Sequence, residues 1–296
     1  MNSPVQSPSQ ARKTFVIGAG CQKGGTTWLY HYLKSSPEFA HGYRKEYHVF
    51  DSLDLPSEAW MRDRILGQAE QALAAARLGE PADGHVLHRA SMYVNPELYF
   101  DFFSQLLRRA PRFRAAADLT PDYAMLSPAR FAQIQEGFAK RGVRTASVFL
   151  MRDPVERTWS QIRMQDDRQP DRFSDPTEVV LEKLHAEPVY ERRSRYQDTI
   201  AALDQVFAPE DLHYGFYEEL FDDSRLREVT DLLGMQFRPP DTQTRRNSST
   251  RPQRALPDNI ARTVAHHYAD VYQAVARRFP DKDLLTLWPH SRHVLG

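Results

Sequence analysis

Apolar and β-branched residues gather into two short runs along the chain, and each run leads into a helical period. Thr14, Phe15, Val16 and Ile17 form the first; Gly18, Gly20, Gly24 and Gly25 close it, and Thr26 to Ser35 then reads as a helix that stops before Pro37. Arg144 to Met151 forms the second, followed by Asp153-Pro154 and a helical stretch from Val155 to Gln165. Between the two, periodicity predicts helices over Ser57 to Leu78, Asn95 to Arg109 and Ser127 to Arg141, and a strand at Phe113 to Leu119. Further on it predicts a helix at about Tyr190 to Phe207, a strand at about Leu212 to Phe216, and helices over Asp223 to Gly234 and Pro257 to Phe279. Strands alternating with helices imply an α/β fold, an open parallel β-sheet flanked by helices on both faces, with a P-loop-like strand, glycine loop and helix at its start.

Prolines support this division instead of breaking it. Asn95-Pro96, Ser127-Pro128, Asp153-Pro154 and Asp175-Pro176 each pair a good N-cap residue with proline at the first helical position. There is no internal repeat and no Gly/Ser linker, so the simplest organisation is one domain over residues 14–296. Residues 1–13, rich in Ser, Pro and Gln, read as a disordered leader, and residues 52–89 as an inserted helical or mobile segment.

Composition narrows the function classes. Lys and Arg number 39 and so do Asp and Glu, which removes the dominant basic field that a general nucleic-acid or anionic-membrane binder needs. Cys21 is the only cysteine, so neither an intrachain disulfide nor a Cys-based zinc site is available. No apolar run approaches the roughly 20 residues of a membrane span, and the expected location is cytoplasmic.

Candidate chemistry begins in the glycine loop. Gly20, Cys21, Gln22, Lys23, Gly24, Gly25, Thr26, Thr27 resembles the P-loop of nucleotide triphosphatases, where backbone N–H groups at a helix start cradle phosphate. The P-loop lysine follows the last glycine directly; here Thr26 stands in that place and the lysine sits inside the loop as Lys23. The second strand ends in Met151 and Arg152, where a triphosphatase wants a carboxylate for Mg²⁺. The site therefore expects an anion and no metal. Trp28 is a packing residue that could also stack on a base.

Arg152 lies at the carboxyl edge of a buried strand, where open α/β sheets bind ligands, and Ser160 lies about two turns into the next helix. A guanidinium and a hydroxyl so placed could meet on one phosphate, whereas Asp153, Pro154 and Glu156 read as helix capping. Arg245, Arg246, Arg251 and Arg254 form a third basic cluster, either a solvated loop or a lid over a charged nucleotide. After the first helix comes Lys45-Glu46-Tyr47-His48-Val49-Phe50-Asp51. If extended, it puts Glu46, His48 and Phe50 on one face and Lys45, Tyr47 and Val49 on the other. A carboxylate beside an imidazole can take a proton from an acceptor.

Together these stretches resemble the sulfotransferases that use PAPS, 3′-phosphoadenosine 5′-phosphosulfate, most closely the branch containing heparan sulfate sulfotransferases. CQKGGTTWL is similar to that family's 5′-phosphosulfate loop, MRDPVERTWSQ (Met151 to Gln161) to its 3′-phosphate motif, and KEYHVFD (Lys45 to Asp51) to its catalytic segment. DLTPDYA (Asp118 to Ala124) and FYEELFDD (Phe216 to Asp223) are weaker echoes. The resemblance implies that Lys23 stabilises the leaving phosphate, that Gly24, Gly25, Thr26 and Thr27 cradle the 5′-phosphate beside Trp28, and that Arg152 and Ser160 clamp the 3′-phosphate. It implies Glu46 as general base with Lys45 and His48 in support, and Asp118 and Tyr123 on the acceptor side. Arg251 matches the family's C-terminal basic loop only loosely.

The same resemblance implies one-step transfer of a sulfuryl group from PAPS to a hydroxyl or amine, without a metal, on a glycan or another hydroxylated metabolite. Two other classes stay open on the residues alone. One is an ATP-dependent kinase or triphosphatase with an atypical loop; the other is a nucleotide-binding protein without turnover. Tyr43, Arg44, Arg192, Arg193, Arg195 and Tyr196 could greet an anionic or sugar-like acceptor or could be plain surface.

Overall fold

Strands whose side chains are apolar on both sides belong in the middle of a covered sheet, and the first run of the chain behaves so. A computed structural model describes residues 12–240 and 255–296. In it, β1 (Thr14–Gly18) is buried along its whole length. The helices α1 (Thr26–Lys34), α2 (Phe50–Asp54), α3 (Ala59–Arg77), α4 (Gly84–Val94) and α5 (Glu97–Arg108) follow, then β2 (Ala115–Asp118) and α6 (Pro128–Ala139). Next come β3 (Arg144–Met151), α7 (Pro154–Arg168), α8 (Thr177–Leu184), α9 (Pro188–Glu191), α10 (Tyr196–Val206) and β4 (Leu212–Phe216). Five helices come after it: α11 (Asp223–Leu232), α12 (Asp258–His267), α13 (Ala269–Arg278), α14 (Leu284–Leu287) and α15 (Arg292–Leu295).

Among the described residues the sheet is parallel throughout, in the order β2-β1-β3-β4, with Thr14 level with Ala115 on one side and Arg144 on the other. Alternation sends its residues into two separate cores. Phe15, Ile17, Phe149 and Met151 pack toward α5, α6 and α10; Val16, Ala117, Val148 and Leu150 pack toward α1 and α11. The α/β architecture with helices on both faces is thus present as the sequence predicts. No helix among the described residues is long and apolar enough to cross a membrane. Because every strand runs the same way, the ends of β1, β2, β3 and β4 deliver the glycine loop, Asp118, Arg152 and Tyr217 to one edge.

The details depart from the sequence reading where distant partners intervene. Lys13, placed in the leader, already joins the sheet, since its carbonyl accepts from the Arg144 N–H; residues 1–11 lie outside the described part. Expected helix Tyr190 to Phe207 divides into α9, a 3-10 turn and α10, and Pro257 to Phe279 breaks at Tyr268, whose hydroxyl donates to the His185 carbonyl. Within residues 52–89, α3 and the start of α4 press Ile65, Ala69 and Val86 into the core. Ser127 and Asp153 cap their helices as expected, accepting from the N–H groups of Arg130 and Val155. Asp175 pairs with Lys183 instead, and Glu156 turns toward Arg152 and His290 and makes no capping box.

Gly137 on α6 tests the packing that supports the sheet. A Cβ there would stand 2.6 Å from the Phe100 ring of α5, itself wedged against Phe138. Gly137→Ala is expected to lower stability by about 1–3 kcal/mol through overpacking, read as a shifted urea midpoint; an unchanged midpoint would refute the α5–α6 contact.

Candidate active site

The glycine loop takes its shape from steric limits that exclude side chains. Gly25 sits at φ 93°, a left-handed conformation, and Leu220 Cδ2 would lie 2.5 Å from any Cβ there. At Gly24 a Cβ would meet Cys21 Sγ at 2.7 Å and the Leu150 carbonyl at 2.8 Å. Gly25 caps α1 without a side-chain bond, and the first turn holds no acidic residue, so the positive end of the helix is left open to an anion.

Lys23, at φ 70°, sits in the same loop and its ammonium has no hydrogen-bond or ion-pair partner among the described residues. Burial first, then the guanidiniums of Arg152, Arg168 and Arg163, pull its pKa down to about 8. Cations crowded in this way create a standing demand for negative charge. Arg152 is fixed from three sides: it donates to the Lys23 carbonyl at 3.3 Å and to Glu156 at 3.4 Å, and it lies over the Tyr217 ring at 4.5 Å. Arg163, one turn beyond Ser160, stacks on Trp159 and keeps a buried Nη1 without a partner. Ser160 is half-buried and makes no hydrogen bond to Arg152. Trp28 stacks on Tyr32 at 5.7 Å and meets Phe221 edge-on.

The segment from Lys45 to Val49 is not the extended strand that alternation supposed. His48 adopts φ 53°, which breaks the period, and Phe50 leaves for the core as the first residue of α2. Lys45 and Glu46, expected on opposite faces, meet at 2.6 Å, and Glu46 lies 3.5 Å from His48 Nε2. Lys45 also donates to the hydroxyls of Thr26 and Thr27, at 3.0 and 3.1 Å. Burial alone would raise the Glu46 pKa, but hydrogen bonds from His48 and Lys45 outweigh it and bring it to about 2. Its side chain stays 36% exposed, so a solute can still reach it.

His48 owes its charge to what lies behind it. Nδ1 is 2.6 Å from Asp51 and 4.0 Å from Asp122. Burial would lower its pKa, yet Asp51, Glu46 and Asp122 together raise it to about 10. One ligand atom each from His48, Asp51 and Asp122 falls within 4.8 Å of the others, a spacing that would also suit a metal ion. Asp122 is held in turn by Arg193, which donates to it at 2.8 Å and to Glu58 at 2.6 Å.

Asp118 and Tyr123 take a supporting place instead of the expected one on the acceptor side, because both are fully buried. Asp118 accepts from Tyr99, Thr120, Tyr123 and the Tyr47 N–H, and Tyr123 in turn accepts from the Val49 N–H. Arg89 and Tyr93 of α4 close the other side by donating to the Tyr47 and His48 carbonyls. Arg193, weighed for acceptor contact, is buried in its two ion pairs, and Arg195 pairs with Asp198 and Asp270. Arg251 and its cluster lie outside the described residues. Sequence reasoning assigned no role to Asp51, Asp122 or Arg163. Asp51 carried a usable signal, three residues after His48, and Arg163 sits three after Ser160; Asp122 carried none.

No protein-family model matches the chain, and no curated protein matches it. Solved structures do. A sulfotransferase from Alicyclobacillus acidocaldarius aligns over 90% of this chain and 94% of its own, at 18% identity and a TM-score of 0.56. The sulfotransferase domain from the curacin biosynthetic pathway aligns over 77% of this chain and 75% of its own, at 18% identity and a TM-score of 0.44. That of the Synechococcus PCC 7002 olefin synthase aligns over 90% and 98%, at 15% identity and a TM-score of 0.43. The first of these shows that the chain shares the α/β fold of that sulfotransferase.

The raised His48 pKa has a measurable consequence for stability. Below about pH 6.5 folded and unfolded forms are both protonated and the contribution is complete; as pH rises toward 10 the folded protein must give up a proton it holds tightly, and the contribution fades. Urea unfolding of the wild type and of His48→Gln should therefore show a stability gap that narrows between pH 6.5 and 10. A gap that stays constant or widens would contradict the charged assignment.

Proposed function

We propose that the chain is a PAPS-dependent sulfotransferase that transfers a sulfuryl group to a hydroxyl or amine. The observation that carries this reading is the reach of one ammonium, Lys45, from the Thr26 and Thr27 hydroxyls to Glu46, which sets an anion cradle and a carboxylate base side by side. The fold likeness to the Alicyclobacillus sulfotransferase supports it. A kinase or triphosphatase reading would want the carboxylate after the second strand, but Asp153 is fully buried and bonded to Tyr272, the Val155 N–H and the His290 N–H.

The cradle fits a phosphosulfate because Gly24 and Gly25 leave it no side chain and the cations crowding Lys23 outweigh the pull of Asp167. Gly24, Gly25, Thr26 and Thr27 would hold the 5′ end, and Arg152, Ser160 and Arg163 the 3′-phosphate. PAPS supplies an SO₃ group on a phosphate leaving group. Glu46 takes the acceptor's proton as the acceptor atom bonds to sulfur, and Lys23 offsets the charge left on the bridging oxygen as the old S–O bond breaks. His48, held charged by Asp51, orients Glu46. The motif likeness to the heparan sulfate branch favours a glycan or similar hydroxylated acceptor, met in the cytoplasm, and the reading assigns no metal.

Incubation with labelled PAPS and a panel of saccharides, phenols, lipids and peptides should release 3′,5′-adenosine bisphosphate and label one class. Lys23→Ala and Glu46→Ala should each lower turnover by about a hundredfold or more; full activity in both would end the mechanism. Calorimetry gives a second check. Arg152→Met should cost the 3′,5′-bisphosphate about tenfold in affinity and adenosine 5′-phosphate little, and equal losses for both would remove the 3′-phosphate assignment.

A further inference from the structure

Lys45 is placed to do more than support its neighbour. Its ammonium, on a side chain 15% exposed, has acceptors in three directions: Thr26 Oγ1 at 3.0 Å, Thr27 Oγ1 at 3.1 Å and Glu46 Oε1 at 2.6 Å. An ammonium has three protons, so this arrangement saturates it. Glu46 is correspondingly gripped by two cations, with Lys45 on Oε1 and His48 on Oε2. A carboxylate so held is a poor proton acceptor, and the one grip that can be released without unfolding the segment is that of Lys45. His48 is locked behind by Asp51 of α2 and by Asp122 after β2, whereas Lys45 leans on neutral hydroxyls at the mouth of the cradle.

We propose that Lys45 couples donor occupancy to the readiness of the base: with the cradle empty its ammonium neutralises Glu46, and a phosphosulfate seated at the start of α1 draws it away, freeing the carboxylate to accept a proton. The inference rests on the assignment of PAPS as donor. A phosphate or sulfonate oxygen beside Thr26 and Thr27 competes with Glu46 for one cation, and it does so with more charge and with the helix N-terminus holding it in place. Glu46 then keeps its contact to His48, which preserves its aim, while losing the stronger of its two clamps. Proton acceptance is thereby tied to the presence of something to transfer.

The test is a double-mutant cycle on the affinity for 3′,5′-adenosine bisphosphate, measured by calorimetry on the full chain as wild type, Lys45→Met, Glu46→Gln and the double variant. Lys45→Met should weaken binding by about tenfold. Glu46→Gln, which releases the ammonium to the nucleotide, should tighten binding by about threefold or more where Lys45 is present and by less than about twofold in the Lys45→Met background. Lys45→Arg, which keeps the charge, should retain both the affinity and the coupling; Lys45→Gln serves the same comparison if Lys45→Met fails to fold. Equal effects of Glu46→Gln in the two backgrounds, or unchanged affinity in Lys45→Met, would overturn the coupling and leave the donor assignment standing. Absence of any binding to the wild type would remove the donor assignment and the coupling with it.

Discussion

A carboxylate buried at the end of β2 organises this site. Asp118 is completely enclosed, and an enclosed carboxylate without donors would cost several kcal/mol. Its demand for hydrogen bonds is met by the backbone of Tyr47, by Thr120 and Tyr123 just downstream, and by Tyr99 from α5. Burial still pushes its pKa up, so the donors are needed and not ornamental. The consequence is positional. The segment that carries Lys45, Glu46 and His48 is tied to the same sheet edge from which β1 releases the glycine loop, and neither can shift far without the other.

Charge is distributed unevenly across that edge. On the side of Glu46 opposite charges form a chain: Lys45 and His48 face Glu46, Asp51 and Asp122 face His48, and Arg193 joins Asp122 to Glu58. On the side of the loop, Lys23, Arg152, Arg163 and Arg168 stand against Glu156 and Asp167, and the Lys23 pKa falls in response. A balanced network holds geometry, and an unbalanced one attracts a ligand. The two halves of the site therefore differ in kind, one a chain of paired charges and the other a crowd of cations.

What could be read from sequence was whatever depends on neighbours along the chain. β1 with its glycines and α1, and β3 with Arg152 and α7, each come from a local run and its punctuation, and Ser127 and Asp153 cap where local chemistry says they should. What could not be read depends on partners far away in sequence. Asp118 and Tyr123 look like cleft residues until burial shows their oxygens committed to accepting from the Tyr47 and Val49 N–H groups. Period-two alternation separated Lys45 from Glu46 because it assumed a strand, and the left-handed His48 abolishes one. The break at Tyr268 has the same origin, a hydroxyl bonded to a carbonyl 83 residues away.

Arg193 shows how this bears on recognition. As one of three arginines in a short stretch it looks like a surface for an anionic acceptor, yet it is buried between Glu58 and Asp122, and Arg195 is paired with Asp198 and Asp270. Those charges are therefore occupied in holding α10 and the start of α3 against the support of His48. Arg44 is an exposed cation next to the Glu46 segment, where Arg89 also keeps a buried Nη2 without a partner, while on the loop side Lys23 and Arg163 are crowded by other cations. In a chain whose formal charges cancel, positive charge is thus concentrated at the glycine loop, while the charges around Glu46 are largely paired with one another.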